Sequence, residues 1–165
     1  NMRAFVVPKD CRSLEELHHV ERKDPEPGPR QLLIRIRAVS LNYRDQMIAA
    51  GDYFGMRATR ETILASDAAG EVVGVGDGAT RFKVGDRVVG CFTQADPAGP
   101  STGPQVPLGL PLDGVLAERV VLHEDGVVAM PALRRSNRLI SDDSEPDRFV
   151  VGLLRVIEDL AGARR

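Results

Sequence analysis

Cysteine is scarce: Cys11 and Cys91 are the only two in 165 residues, and they lie far apart with no CxxC spacing. Neither a disulfide framework nor a cysteine-built zinc site is signalled, and the reducing cytoplasm is the expected compartment. Long hydrophobic runs are missing as well. No stretch approaches the roughly eighteen apolar residues that a membrane span requires. The N-terminus enters strand-like sequence at Arg3-Ala4-Phe5-Val6-Val7 without a signal-peptide pattern, so no membrane association is expected. Nor does one sign of charge dominate. The formal net charge is −2, and acidic and basic residues alternate along the chain, which gives no reason to expect nucleic acid as a partner. A dinucleotide-binding loop is missing too. Gly74, Gly76 and Gly78 come closest, but Ala79-Thr80-Arg81-Phe82-Lys83-Val84-Gly85 follows them and cannot open a helix. Nor does an acidic residue stand at the end of a second strand about twenty positions further on, as that fingerprint expects. Those glycines instead suit turns and bulges, with Asp77-Gly78 a strong turn dipeptide.

What is present reads as a succession of short strands. Arg3 to Val7 and Leu17 to Arg22 flank a turn, and Asp24-Pro25-Glu26-Pro27-Gly28-Pro29 is an irregular connection. In Leu32 to Val39 the residues Leu32, Ile34, Ile36 and Ala38 share one face, the alternation of a half-buried strand. The period then changes. Asn42 to Gly51 reads as a short helix, with Asn42 as its cap and Gly51 as its stop. Ile63 to Gly90 reads as two strands joined by a turn, and Gly114 to Leu122 and Val127 to Met130 as further strands. Between them Thr93 to Asp113 is dense in proline and glycine, a loop by composition. Many short strands with glycine turns and little helix make the chain mainly β, a barrel or sandwich. After Pro131 the texture changes to a polar linker, 132–146, and an amphipathic helix, 147–162, with Phe149, Leu153, Val156, Ile157 and Leu160 on one stripe.

Three segments, SLNYRDQMIAAGDY, ILASDAAGEVVGVGDGATRFKVGDRVVG and LDGVLAERVVLHEDGVVAMP, together resemble the N-terminal GroES-like catalytic domain of medium-chain dehydrogenases/reductases, on the zinc-independent quinone-oxidoreductase side. The resemblance covers residues 2–131. It implies a partly open β-barrel with short helices, forming one wall of a cleft over a nicotinamide cofactor. Zinc-bearing relatives carry a cysteine and a His-Glu pair where this chain has Asn42 and Ser66-Asp67, and an amide, a hydroxyl and one carboxylate do not make a zinc site. His18, His19 and His123 are assigned surface or structural roles, so no metal is expected.

The same resemblance points to Asn42, Tyr43, Asp45, Tyr53 and Ser66 as residues facing substrate or nicotinamide. None of them is assigned a catalytic role. Asn42 is open to two roles, a contact to a cofactor ribose or substrate carbonyl and a helix N-cap. Tyr43 and Tyr53 are open to packing, and Asp45 to capping or pairing with Arg44 or Arg87. NAD(P)H is implied by the resemblance. With no Rossmann-type phosphate site in the sequence, no cofactor is expected on this chain alone, which is then inactive by itself. The partners expected are a Rossmann-type chain that would supply that site, or further copies of this chain in a homo-oligomer. The alternative is a non-catalytic binding or oligomerisation module derived from the same domain.

Overall fold

The longest apolar alternation in the chain, along Gln31–Ser40, forms the longest strand, β3, and the architecture is assembled on it. The structure is a computed structural model that describes residues 1–94 and 106–130. Its elements run β1 (Met2–Val7), β2 (His18–Arg22), β3 (Gln31–Ser40), α1 (Tyr43–Ala49), β4 (Thr62–Ile63), β5 (Asp67–Val75), β6 (Arg87–Gly90), β7 (Arg119–His123) and β8 (Val127–Ala129), with single 3-10 turns at Leu14–Glu16 and Glu124–Gly126. The expected linker and amphipathic helix, 132–162, and residues 95–105 of the proline-rich stretch lie outside the described residues. Among the described residues no helix is long and apolar enough to cross a membrane.

The strands form two sheets, a five-stranded one ordered β7-β3-β5-β6-β8 and a three-stranded one ordered β2-β1-β4. Residues 114–118 join them. Leu116 O accepts from Phe5 N at 2.9 Å, while Glu118 N donates to Arg3 O at 3.0 Å and Glu118 O accepts from Ile36 N at 3.0 Å. The Arg3 guanidinium adds two hydrogen bonds to Glu118 Oε1, at 3.0 and 2.9 Å. The result is a curled, mainly β half-barrel of GroES-like form. The strand expected over Gly114 to Leu122 is therefore confined to β7, because the backbone groups before it are committed to two different sheets.

Leu32 and Ile34 on β3 are fully buried with Val72, Val88, Val115 and Val127 in the main core. The expected face ends early, because a register shift between Ile36 and Ala38 inserts a bulge and makes Val39 the buried residue where Ala38 was expected. A one-residue slip moves every later side chain to the other face. Val84, read as part of the second apolar run, is 60% exposed, because β6 begins only at Arg87.

Two glycines serve as close-contact points. A Cβ at Gly70 would lie 2.5 Å from Arg35 O and 2.6 Å from Ile34 Cγ2, and one at Gly76 would lie 1.9 Å from Gly28 O. Of the trio Gly74, Gly76 and Gly78, Gly78 alone has positive φ, +73°. The connection from Gly76 to Asp86 is anchored by Glu124, which is completely buried. Its Oε2 accepts from the backbone N–H groups of Thr80 at 2.7 Å and Arg81 at 2.8 Å, and its Oε1 from Arg30 Nε at 2.8 Å. The Arg81 N–H, with Arg30 and the Thr80 N–H, holds this carboxyl at a pKa of about 2, below its ordinary 4.5.

Two stability predictions follow from these contacts. Gly70→Ala forces backbone apart at the β3–β5 contact and is expected to cost about 1–3 kcal/mol in urea denaturation; an unchanged midpoint would contradict the clash. Glu124 binds its proton more weakly in the folded chain than in the unfolded one. Its stabilisation is thus full above about pH 4.5 and is lost as the pH falls toward about 2. Glu124→Gln should lower stability at pH 7 and flatten its dependence on pH in that acid window, as read by urea midpoints across the range.

Candidate functional site

The β3–β5 pairing ends with Ser40 opposite Asp67, so the chain leaving β3 lies beside the chain entering β5. Asn42 is the N-cap of α1, in the extended conformation at φ −118°, ψ 158°. Its backbone N–H donates to Asp45 Oδ2 at 2.8 Å, and its carbonyl accepts from Asp45 N at 2.9 Å. Its side-chain Nδ2 donates to Asp67 Oδ2. The Ser66 hydroxyl donates to the same oxygen at 2.9 Å. Ala65 delivers this pair from a left-handed backbone at φ +65° while fully buried. Such a conformation costs a residue with a Cβ on the order of 1–3 kcal/mol and persists only where surrounding structure imposes it. Here Val115 N donates to Ala65 O at 3.0 Å.

Asp45 is 4% exposed. Burial pushes its pKa up, and the nearby Asp67 charge pushes the same way, against the Asn42 N–H and Arg44. Among the described residues its Oδ1 has no hydrogen-bond partner. The Arg44 side chain has a different task. Its Nη1 and Nη2 donate to Leu108 O and Leu110 O, each at 2.9 Å. Its guanidinium carbon lies 4.8 Å from the centre of the Tyr53 ring and 5.1 Å from that of Phe92. Arg44 thereby ties the loop at Leu108 to Leu110 onto α1, sandwiched by two aromatic faces.

Asn42, Asp45 and Ser66 come together around Asp67. Ser66 is 1% exposed and acts through Asp67. Tyr53 is half-buried and reaches the cluster through Arg44, whereas Tyr43 is 75% exposed. Asp45 caps α1, one of the roles its position left open; the Asn42 side chain turns to Asp67. Of the histidines, His19 packs edge-on against Phe5, His18 lies 3.7 Å from Glu61, and His123 accepts from the Asp125 N–H. No group of three or more His, Cys, Asp and Glu able to hold a metal occurs among the described residues. Arg44 was not among the candidate site residues. A lone arginine on a short helix carries no sequence signal, since its partners are backbone carbonyls more than sixty residues away.

A curled half-barrel with a strand-to-helix turn facing the entry of a second strand defines a GroES-like domain, and the comparisons agree. The family model for the alcohol dehydrogenase GroES-like domain matches residues 28–132. A quinone oxidoreductase of Pseudomonas aeruginosa is 36% identical over 117 residues, which is 71% of this chain and 30% of that enzyme. The structure of a protein from Sinorhizobium meliloti described as an alcohol dehydrogenase superposes with a TM-score of 0.68 at 36% identity, covering 79% of this chain and 39% of that one. A mycobacterial protein solved in complex with NADPH superposes with a TM-score of 0.59 at 25% identity, covering 79% of this chain and 33% of the other. The chain belongs to the alcohol dehydrogenase GroES-like domain family, whose members here are medium-chain dehydrogenases/reductases. It spans less than half the length of each of these relatives.

Arg44→Ala should release the loop at Leu108 to Leu110. Amide hydrogen exchange in a peptide covering 106–112 is expected to rise at least tenfold, corresponding to loss of charged hydrogen bonds of about 1.5–3 kcal/mol. Unchanged protection would show that the loop is held by other contacts.

Proposed function

We propose that this chain is the substrate-side wall of a zinc-independent, NAD(P)H-dependent oxidoreductase of quinone-oxidoreductase type. The observation that carries the proposal is the Asn42–Asp67–Ser66 hydrogen-bonded cluster at the strand-to-helix turn, in a domain 36% identical to part of a quinone oxidoreductase. The donor chemistry does not suit zinc, which takes thiolate, imidazole or carboxylate lone pairs. Here an amide hydrogen and a hydroxyl hydrogen are both directed at Asp67 Oδ2, the place where a cation would need open lone pairs.

A nicotinamide cofactor, when bound, supplies the hydride. This chain's residues position the substrate. Asn42 and Asp67 offer polar atoms at the mouth of the turn, Arg44 holds the covering loop, and Tyr53 supplies an apolar wall. The described residues contain no strand, glycine turn and helix to cradle a pyrophosphate. The cofactor is accordingly held by a second unit, either a further domain or a Rossmann-type partner chain. The exposed aromatic residues Tyr43 and Phe54, 75% and 81% accessible, suit a face covered by that unit.

The test is a chimera in which residues 2–131 replace the corresponding part of the Pseudomonas aeruginosa enzyme. NADPH oxidation dependent on an added quinone is expected, and Asn42→Ala in the chimera should lower kcat/KM by about 10–100-fold. A chimera that binds NADPH by calorimetry yet oxidises none of it with quinones would overturn the proposal.

A further inference from the structure

Among the described residues β7 is the outermost strand of its sheet and pairs with β3 alone. Beside it lies a groove of about 490 Å³, and all five residues from Arg119 to His123 line it. Successive side chains of a strand point to opposite faces, so a wall to which five consecutive residues contribute is the strand's edge. The ladder gives the same direction. Glu124 N donates to Arg30 O at 2.9 Å and Ile36 N to Glu118 O at 3.0 Å, one beyond each end of the β3–β7 register. Bonded and non-bonded positions alternate along an antiparallel pair, so Val120 and Leu122 turn their backbone groups to β3. Arg119, Val121 and His123 turn theirs to the groove, and outside β3 no described residue bonds them. The opposite wall, contributed by Met2, Ile63 and Leu112, is apolar. On the groove side, the bridge between Ala4 and Ala117 and the bond from Glu118 N to Arg3 O carry β1 alongside the chain as far as the start of β7. β1 itself begins at Met2, so among the described residues no strand continues along the edge. The groove lies at the Gln31 end of β3, whereas the Asn42 turn follows Ser40 at the other end of that ten-residue strand, roughly 30 Å away.

We propose that this groove is a strand-addition site, in which an extended segment of a partner protein, apolar at alternate positions and acidic at its flanks, pairs with the open edge of β7. A row of backbone donors and acceptors is matched in spacing by another extended backbone, and the apolar wall takes every second side chain. Charge selects the source. Of the charged residues that line the groove, Arg22, Lys23 and Arg119 are cations and Asp113 is a carboxylate, while Glu61, Glu26 and Asp24, which pair with those cations, stand outside the lining. The chain's own apolar run, Phe149 to Leu154, is bounded by Arg148 and Arg155, which would bring like charge to that rim. A second copy would have to push an edge strand already attached to its own sheet between two walls. A separate extended segment with acidic flanks meets neither obstacle.

The experiment uses the whole isotopically labelled chain and the end-capped peptide Glu-Val-Thr-Val-Thr-Val-Glu, and it reads no catalysis, so failure of the oxidoreductase reading does not affect it. In the dilute free chain, the backbone amides of Arg119, Val121 and His123 are expected to exchange with solvent about tenfold or more faster than those of Val120 and Leu122, which the ladder to β3 protects. Saturation with the peptide should slow those three amides about tenfold or more. The same peptide with arginine in place of both glutamates should bind about threefold or more weakly. Val121→Pro removes an N–H directed into the groove and none from the ladder to β3, and it should weaken the peptide about tenfold. Should that variant fail to fold, the peptide with proline in place of its central valine makes the same test on the unaltered chain and should leave the three amides unprotected. The inference is overturned if the three amides are already protected in the dilute free chain, which assigns the edge to the chain's own residues, or if their protection grows with protein concentration, which assigns it to a second copy. It is overturned equally if the peptide leaves their exchange unchanged, if the arginine-flanked peptide binds as tightly, or if the proline substitution has no effect.

Discussion

The pairing of β3 with β5 is the constraint on which the rest of the molecule depends. β3 is the shared strand of the larger sheet, bonded to β5 on one side and β7 on the other. Its register puts Gly70 where backbone and side chain of β3 approach too closely for any Cβ, and it ends with Ser40 opposite Asp67. The two residues beyond Ser40 then reach Asn42, and the residue before Asp67 is Ser66. The cluster at the turn is thus a consequence of strand register, and a slip of one residue would separate its members and turn the core face outward.

Around that pairing the chain uses charged side chains as backbone anchors. Glu124 receives two backbone N–H groups from the connection between β5 and β6, Arg44 donates to two carbonyls of the loop after residue 106, and Asp45 closes the first turn of α1. Each is a charged group holding irregular backbone that has no ladder to pair with, which is how polar main chain is satisfied outside sheets and helices. The candidate turn leads directly into Arg44 and Asp45. Its Asn42 and Asp67 remain half-buried, while Ser66 and Asp45 are enclosed. A rigid support under a small accessible polar pair is the arrangement that orienting a ligand demands.

Much of this was legible from residue patterns. The alternation through Leu32 to Ile36 marked β3, the switch of period after it marked α1, and Asn42 and Gly51 marked its ends, Gly51 at φ +70°. The joint motifs at Asn42 and Ser66-Asp67 marked residues that the fold brings together. The pattern failed where a contact distant in sequence decides the outcome. The bulge after Ile36, which buries Val39, depends on what β5 offers opposite it. The engagement of Gly114 to Glu118 with two sheets cannot be inferred from their strand-like composition.

The amino-acid sequence by itself determined that this is a mainly β chain of the alcohol dehydrogenase GroES-like family, with a polar strand-to-helix turn as its functional candidate. Periodicity, turn chemistry and motif spacing are local properties, and they survive without a fold. Only the tertiary structure decided that Asn42 and Ser66 share one oxygen of Asp67, that Glu124 and Arg44 anchor backbone remote in sequence, and that Asp45 is enclosed. Those are distances between segments that meet only after strand pairing has aligned them. The direction of a single amide is set by a partner twenty-five positions along the chain.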